Sequence, residues 1–132
     1  MKYTLSFGFV YQTSADIAEL IPDNNTLITA AKYDEYRECI KQHFSGPYGV
    51  VINLVNTPDF DDEILQKISL SKRVVGIALV HFWPHTSVQV QRFTELSNKL
   101  NIPVRIFNAY QLGRQNALNW IELQLVNSDY RV

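Results

Sequence analysis

Two apolar runs, "YGVVINLV" at residues 48–55 and "RVVGIALV" at residues 73–80, constrain the fold of this chain most strongly. Both are rich in β-branched residues and lack the strict alternation of a strand with one face in water, so they are typical of strands buried on both faces. The segment between them has an amphipathic helix pattern, with Phe60, Ile64, Leu65 and Ile68 on one face. Strand, helix and strand in this order predict a parallel pair joined by a crossover.

The flanking segments add strands at both ends. Residues 2–11 follow a period-two pattern and predict one strand, and "ADIAELI" is expected to return beside it as a hairpin. "IPVRIF" alternates apolar and polar residues, which predicts a less enclosed strand. The side of the first strand predicted to be buried carries Tyr3, Leu5, Phe7, Phe9 and Tyr11.

Helix patterns fill the remaining intervals. The first helix is predicted from about Thr29, with Tyr36, Cys39 and Ile40 in a buried stripe. The third helix is expected to begin just after His85, because Thr86 and Gln89 have the spacing of a capping box. The last helix, in "QLGRQNALNWIELQLV", is expected to bury Ala117, Trp120, Ile121 and Leu125.

The fold class predicted from this order is α/β. We expect one domain over residues 1–132, with a mixed sheet of about five strands, an N-terminal hairpin, a parallel core and about four helices. At 132 residues and 46% apolar content, the chain can bury the core of one ordinary domain.

Charge and cysteine content exclude several function classes. Twelve basic and thirteen acidic residues give a net charge of −1, so we expect no nucleic-acid binding. Cys39 is the single cysteine, which excludes an internal disulfide and a multi-cysteine zinc cluster. No segment reaches the roughly 18 apolar residues of a membrane-spanning helix. The N-terminus lacks the apolar core of a signal peptide, so the expected location is the cytoplasm.

The predicted binding site lies where the parallel strands end. Ligands of open α/β sheets favour the crevice beyond the carboxyl ends of the strands, because loops and helix N-termini converge there. Three strand ends contribute the candidate ligand-binding residues, which are Asn56, Thr57, His81, Trp83, His85, Asn108 and Tyr110.

The stretch "HFWPH", residues 81–85, has two interpretations. In the functional one, its histidines and aromatic rings form part of the predicted binding site. In the structural one, the rings cover helix ends, Pro84 shapes the entry into the third helix, and Thr86 caps that helix. A metal site is disfavoured, because Pro84 interrupts a helix through both histidines and no cysteine or carboxylate lies nearby in sequence.

Other polar residues give no catalytic constellation. Cys39 and His43 are four residues apart on the first helix, which leaves a Cys–His pair open, but no orienting third group is visible. Asn53, inside an apolar strand, requires a hydrogen-bonding partner if it is buried. The acidic residues around Asp59 lack calcium-loop spacing. We expect a protein that is not an enzyme and holds no cofactor or metal.

The order of elements resembles the SpoIIAA-like family of bacterial STAS/SEC14-type domains. The resemblance is carried by "YDEYRECI", "GVVINLV", "VVGIALV" and, above all, "PVRIFNAYQLGRQNALNWI", and covers nearly the whole chain. It implies a non-enzymatic regulatory or protein-interaction module, or alternatively a domain that binds a small apolar ligand or lipid. A homodimer is also compatible with the exposed strand edges of such a sheet.

One regulatory feature of similar domains is missing. Anti-sigma-factor antagonists of this kind carry an Asp-Ser-Ser-Gly stretch with a phosphorylatable serine after a central strand. The corresponding place here reads "NLVNTPDF", where Thr57 is the only hydroxyl residue. The departure argues against a phosphorylation switch.

Overall fold

The strands and helices alternate along most of the chain. The structure is a computed structural model that describes residues 1–24, 29–56, 62–84 and 86–128. Its described strands are β1 (Lys2–Leu5), β2 (Gly8–Ser14), β3 (Ile17–Pro22), β4 (Tyr48–Asn53), β5 (Val74–His81) and β6 (Val104–Asn108). Its described helices are α1 (Ala30–His43), α2 (Asp62–Ser69), α3 (Val88–Ser97), the short 3-10 helix Ala109–Gln111 and α4 (Gly113–Val126).

All described strands form one mixed sheet whose spatial order follows the sequence, from β1 to β6. The pairs β1–β2 and β2–β3 are antiparallel, whereas β3 to β6 are parallel. The predicted α/β class, with an antiparallel N-terminal part, a parallel core and four helices, is confirmed. The apolar runs form the central strands β4 and β5, where every residue except Val75 is buried.

The N-terminal segment differs from its prediction. The sequence pattern predicts one strand over residues 2–11, but the chain turns at Ser6 and Phe7 and forms the β1–β2 hairpin, which adds a strand. The turn also changes which residues face the core. Leu5, Phe7 and Val10 are buried in one cluster, whereas Phe9 is only partly buried. An alternating pattern does not reveal such a turn, because apolar residues continue through it.

The helices cover the two faces of the sheet unequally. Consecutive crossovers of one hand between strands in sequential order place their helices on the same face. Accordingly, α1, α2 and α3 share one core cluster, and α4 packs alone on the other face against β4, β5 and β6. The buried helix residues on the first face are Tyr36, Cys39, Ile40, Ile64, Leu65, Ile68, Phe93 and Leu96; those of α4 are Gly113, Ala117, Ile121 and Leu125.

Two of the helices, α1 and α3, begin after a short polar side chain that caps them. The predicted start of α1 near Thr29 is confirmed, and Thr29 caps the helix with its hydroxyl oxygen 3.4 Å from the Lys32 nitrogen. The predicted cap of α3 at Thr86 is wrong by one residue, since Ser87 Oγ accepts the Val90 N–H at 3.3 Å. Serine and threonine are both favoured caps, so the Thr86–Gln89 spacing was not enough to choose between these neighbours. Trp120 of α4, predicted to be buried, is only partly buried. The predictions for residues 57–61 lie outside the described residues.

Candidate functional site at the carboxyl edge of the sheet

The carboxyl ends of β4, β5 and β6 lie side by side. His81 pairs with Asn108 in the β5–β6 register, and the Leu54 N–H donates to the Val80 carbonyl at 2.9 Å. Five predicted site residues therefore lie at or just after strand ends along one edge: Asn56, His81, Trp83, Asn108 and Tyr110. Thr57 and His85 lie outside the described residues.

His81 is buried at this edge. Its Nδ1 accepts the Trp83 backbone N–H at 3.2 Å, which requires a ring without a proton on that nitrogen. The ring stacks on Trp83, which stacks in turn on Phe93, each with centroids 5.8 Å apart. Burial lowers the pKa of His81, because the charged imidazolium would lose its hydration. His81 therefore has the environment of a neutral structural histidine.

The two asparagines of the edge bond to backbone atoms. Asn56 Nδ2 donates to the Pro22 carbonyl at 3.1 Å, which ties the loop after β4 to the end of β3. Asn108 Oδ1 accepts the Tyr110 N–H at 2.9 Å and caps the 3-10 helix after β6. Each side chain thus shapes the edge, and ligand binding by them stays a prediction.

Apolar side chains are exposed along the same edge. Tyr110 and Leu112, after β6, are exposed at 78% and 75%. Val55, after β4, is also exposed, and Phe82, after β5, contacts Tyr110 edge to face with ring centroids 5.7 Å apart. We call Val55, Phe82, Tyr110 and Leu112 the edge patch. None of its four side chains carries a charge.

Leu112 is held in an unusual backbone conformation. Its φ of 56° and ψ of 35° are left-handed, and it is the one non-glycine residue with positive φ that the described residues contain. The next position requires a glycine, because a Cβ at Gly113 would lie 2.3 Å from the Asn108 carbonyl oxygen. The close approach of Gly113 to Asn108 thus forms a sharp bend that turns the chain from β6 into α4 and presents Leu112 outward.

A polar network on the α4 face was missed by sequence reasoning. Glu19 of β3, exposed at 1%, binds Arg114 of α4, with Oε1 2.7 Å from Nη2 and Oε2 2.9 Å from Nε. Asn53 Nδ2 donates to the same carboxylate at 2.9 Å, which confirms that the buried Asn53 has a hydrogen-bonding partner. The hydrogen bonds to Glu19 raise the pKa of Arg114. The sequence signal that could have indicated this network is Glu19, the one charged residue within the otherwise apolar stretch "IAELI".

The structure does not support a catalytic pair of Cys39 and His43. Cys39 is buried, and burial raises the pKa of its thiol, which disfavours the nucleophilic thiolate. The His43 ring stacks on Tyr3 with centroids 3.7 Å apart. Within the described ranges, no cluster of three or more histidine, cysteine, aspartate or glutamate residues is arranged to hold a metal ion.

Three comparisons with known proteins bear on the family of the chain. Its sequence matches no protein-family model, no curated protein and no solved structure. The resemblance to the SpoIIAA-like family therefore stays a prediction. None of the helices in the described part of the chain has the length and apolar character needed to cross a membrane.

Proposed function

We propose that this chain is a non-enzymatic interaction module that binds an apolar surface of a different protein through the edge patch. The observation that carries the proposal is the conformation of Leu112, an exposed leucine with φ of 56°. A left-handed conformation costs a leucine about 1 kcal/mol, whereas glycine or asparagine adopts it more readily. Residues held in such regions often lie at functional sites.

The chemistry of the patch supports a protein partner. Leu112 is too exposed to contribute much to the core, so its side chain gives the fold little in return for the backbone strain. Tyr110, beside it, is a residue type enriched at the centres of protein interfaces. The uncharged patch offers nothing to a polyanion, and its apolar side chains fit a partner surface that is apolar as well.

The proposal is tested with Leu112→Asn, because asparagine tolerates left-handed backbone and removes the apolar side chain. The matched control is Leu70→Asn, since Leu70 is also exposed at 75% but lies just after α2, away from the patch. Tagged wild type and both variants are used to capture partners from a lysate of the source organism. A captured protein is then purified and its affinity measured by calorimetry.

We expect one protein to bind wild type and Leu70→Asn equally, and Leu112→Asn about tenfold more weakly. Equal binding of all three chains would refute the edge patch as the contact surface. Sedimentation supplies the other decisive result: a dimer that Leu112→Asn dissociates would show that the patch binds a second copy instead.

A second candidate function is binding of a small apolar ligand at the same edge. Trp83 supports it, because this half-buried ring lies between His81 and Phe93 and offers an aromatic face near the surface. Native mass spectrometry of gently purified protein tests it, together with tryptophan fluorescence across a panel of fatty acids and lipids. Apo protein alone and an unchanged spectrum would reject this candidate.

A further inference from the structure

A separate cavity lies at the opposite end of the sheet from the edge patch. Its volume is about 450 Å³, and it opens between α1 and the end of α2, beside the amino ends of β4 and β5. Three tyrosines and three cations line it together with aliphatic side chains. The residues used below are Tyr33, Tyr36, Tyr48, Arg37, Lys41 and Arg73.

Tyr36 and Tyr48 form part of the cavity wall from within the core, and each is 3% exposed. Burial raises the pKa of Tyr36 well above its usual range, and the nearby Tyr48 hydroxyl raises it further. The Tyr36 hydroxyl has almost no accessible surface, so a ligand in the cavity would meet the edges of these two rings and not that hydroxyl.

Arg73 is held in place at the cavity. Its Nε donates to the Gly46 carbonyl at 2.9 Å, and its Nη2 donates to the Phe44 carbonyl. The guanidinium also lies over the Tyr48 ring, 5.4 Å from the centroid. These contacts use two of the five N–H groups of Arg73, which leaves others able to bind an anion.

The charge of the lining favours an anion. Arg37, Lys41 and Arg73 outnumber the two carboxylates, Asp34 and Glu38. The Arg37–Asp34 pair is exposed and 3.7 Å apart, so it neutralises only part of this field. The partly exposed ring of Tyr33 adds aromatic surface, which suits a planar or apolar ligand body.

We infer that this cavity binds a small organic anion. Its carboxylate or phosphate lies beside Arg73 and Lys41, and its body packs against the partly exposed ring of Tyr33. The inference goes beyond the proposed function, because it rests on none of the edge-patch residues. It would give the module a ligand site at the opposite end of the sheet from its partner surface.

The test measures binding of three probes to the full chain by calorimetry at low salt. Phenyl phosphate and 4-hydroxybenzoate separate a phosphate group from a carboxylate, and inorganic phosphate tests the anionic group alone. We expect one organic probe to bind saturably and at least about tenfold more tightly than inorganic phosphate. Absence of saturable binding by both organic probes, or equal binding of inorganic phosphate, would overturn the inference.

Three substitutions locate the bound probe. Lys41→Gln should weaken binding about tenfold, whereas Glu38→Gln, which removes a negative charge from the same cavity, should strengthen it. Lys99→Gln removes a positive charge outside the cavity lining and should leave the affinity unchanged. If Lys41→Gln and Glu38→Gln leave the affinity unchanged, the probe binds elsewhere and the inference fails.

Discussion

The guanidinium of Arg114 forms a two-point ion pair with the Glu19 carboxylate, joining the start of α4 to β3 across the face of the sheet. The Glu19 side chain is 1% exposed and that of Arg114 is 52% exposed, so the carboxylate is buried and the cation reaches it from the surface. Asn53 completes the carboxylate's hydrogen bonding from β4. A single buried charge therefore connects three elements of the domain.

The first prediction concerns this ion pair. Arg114→Met should lower the free energy of unfolding by about 3 kcal/mol, because it leaves a buried carboxylate without its cation. Urea unfolding measures the change. In the double variant Glu19→Gln/Arg114→Met, no charge is buried and the new side-chain amide can still accept from Asn53, so most of the loss should be recovered. If the double variant is as unstable as Arg114→Met, the buried charge is not the cause.

The sequence allowed only part of this network to be predicted. The position of Asn53 predicts a hydrogen-bonding partner, because a buried amide within an apolar strand must form hydrogen bonds. The other two members, Glu19 and Arg114, are separated by 95 positions along the chain. No local pattern relates such residues, since the contact exists only once α4 packs on its face of the sheet. Periodicity predicts which element forms and not which distant side chains meet.

The candidate site was also only partly predictable from the sequence. Strand polarity placed His81, Trp83 and Asn108 along one edge, because the carboxyl ends of parallel strands share an edge. The hydrogen bonds of Asn56 and Asn108 to backbone atoms were not predictable, since they depend on the conformation of each loop. The left-handed conformation of Leu112 was also missed, because leucine gives no sequence signal for positive φ.

The second prediction concerns the backbone at Leu112. Leu112→Asn should raise the free energy of unfolding by about 0.5 kcal/mol, because asparagine adopts the left-handed region at lower cost and little packing is lost. Leu112→Val should lower it by about 1 kcal/mol, because a β-branched side chain is disfavoured there. Denaturant unfolding measures both. A less stable asparagine variant would show that the leucine side chain supports the fold.

The third prediction concerns the contact between β4 and α4. A Cβ at Gly49 would lie 2.3 Å from Ile121 Cγ2, so Gly49→Ala should lower stability by about 2 kcal/mol. Leucine lacks this β-branched methyl group, and Ile121→Leu alone should cost less than about 1.5 kcal/mol.

The double variant Gly49→Ala/Ile121→Leu supplies the control for that contact. Its loss should be clearly smaller than the sum of the two single losses, because the new methyl group enters space vacated by Ile121 Cγ2. Thermal and urea unfolding of wild type, the two single variants and the double variant measure these losses as a double-mutant cycle. Additive losses would mean that the close approach of Gly49 to Ile121 does not limit the packing of α4.

The last prediction concerns acid stability and His81. Burial lowers its pKa in the folded protein below the ordinary value of 6.5, so near that pH the unfolded chain binds more protons than the folded one. The contribution of the neutral ring to the free energy of unfolding is thus fully present above pH 6.5. It is lost as the pH falls toward the lower pKa that His81 has in the folded protein. His81→Gln keeps an acceptor for the Trp83 N–H and removes the titrating group, so its stability should fall less than that of wild type between about pH 7.5 and about pH 5. Urea unfolding at both pH values measures the difference. Equal losses in the two chains would show that His81 does not contribute to acid sensitivity.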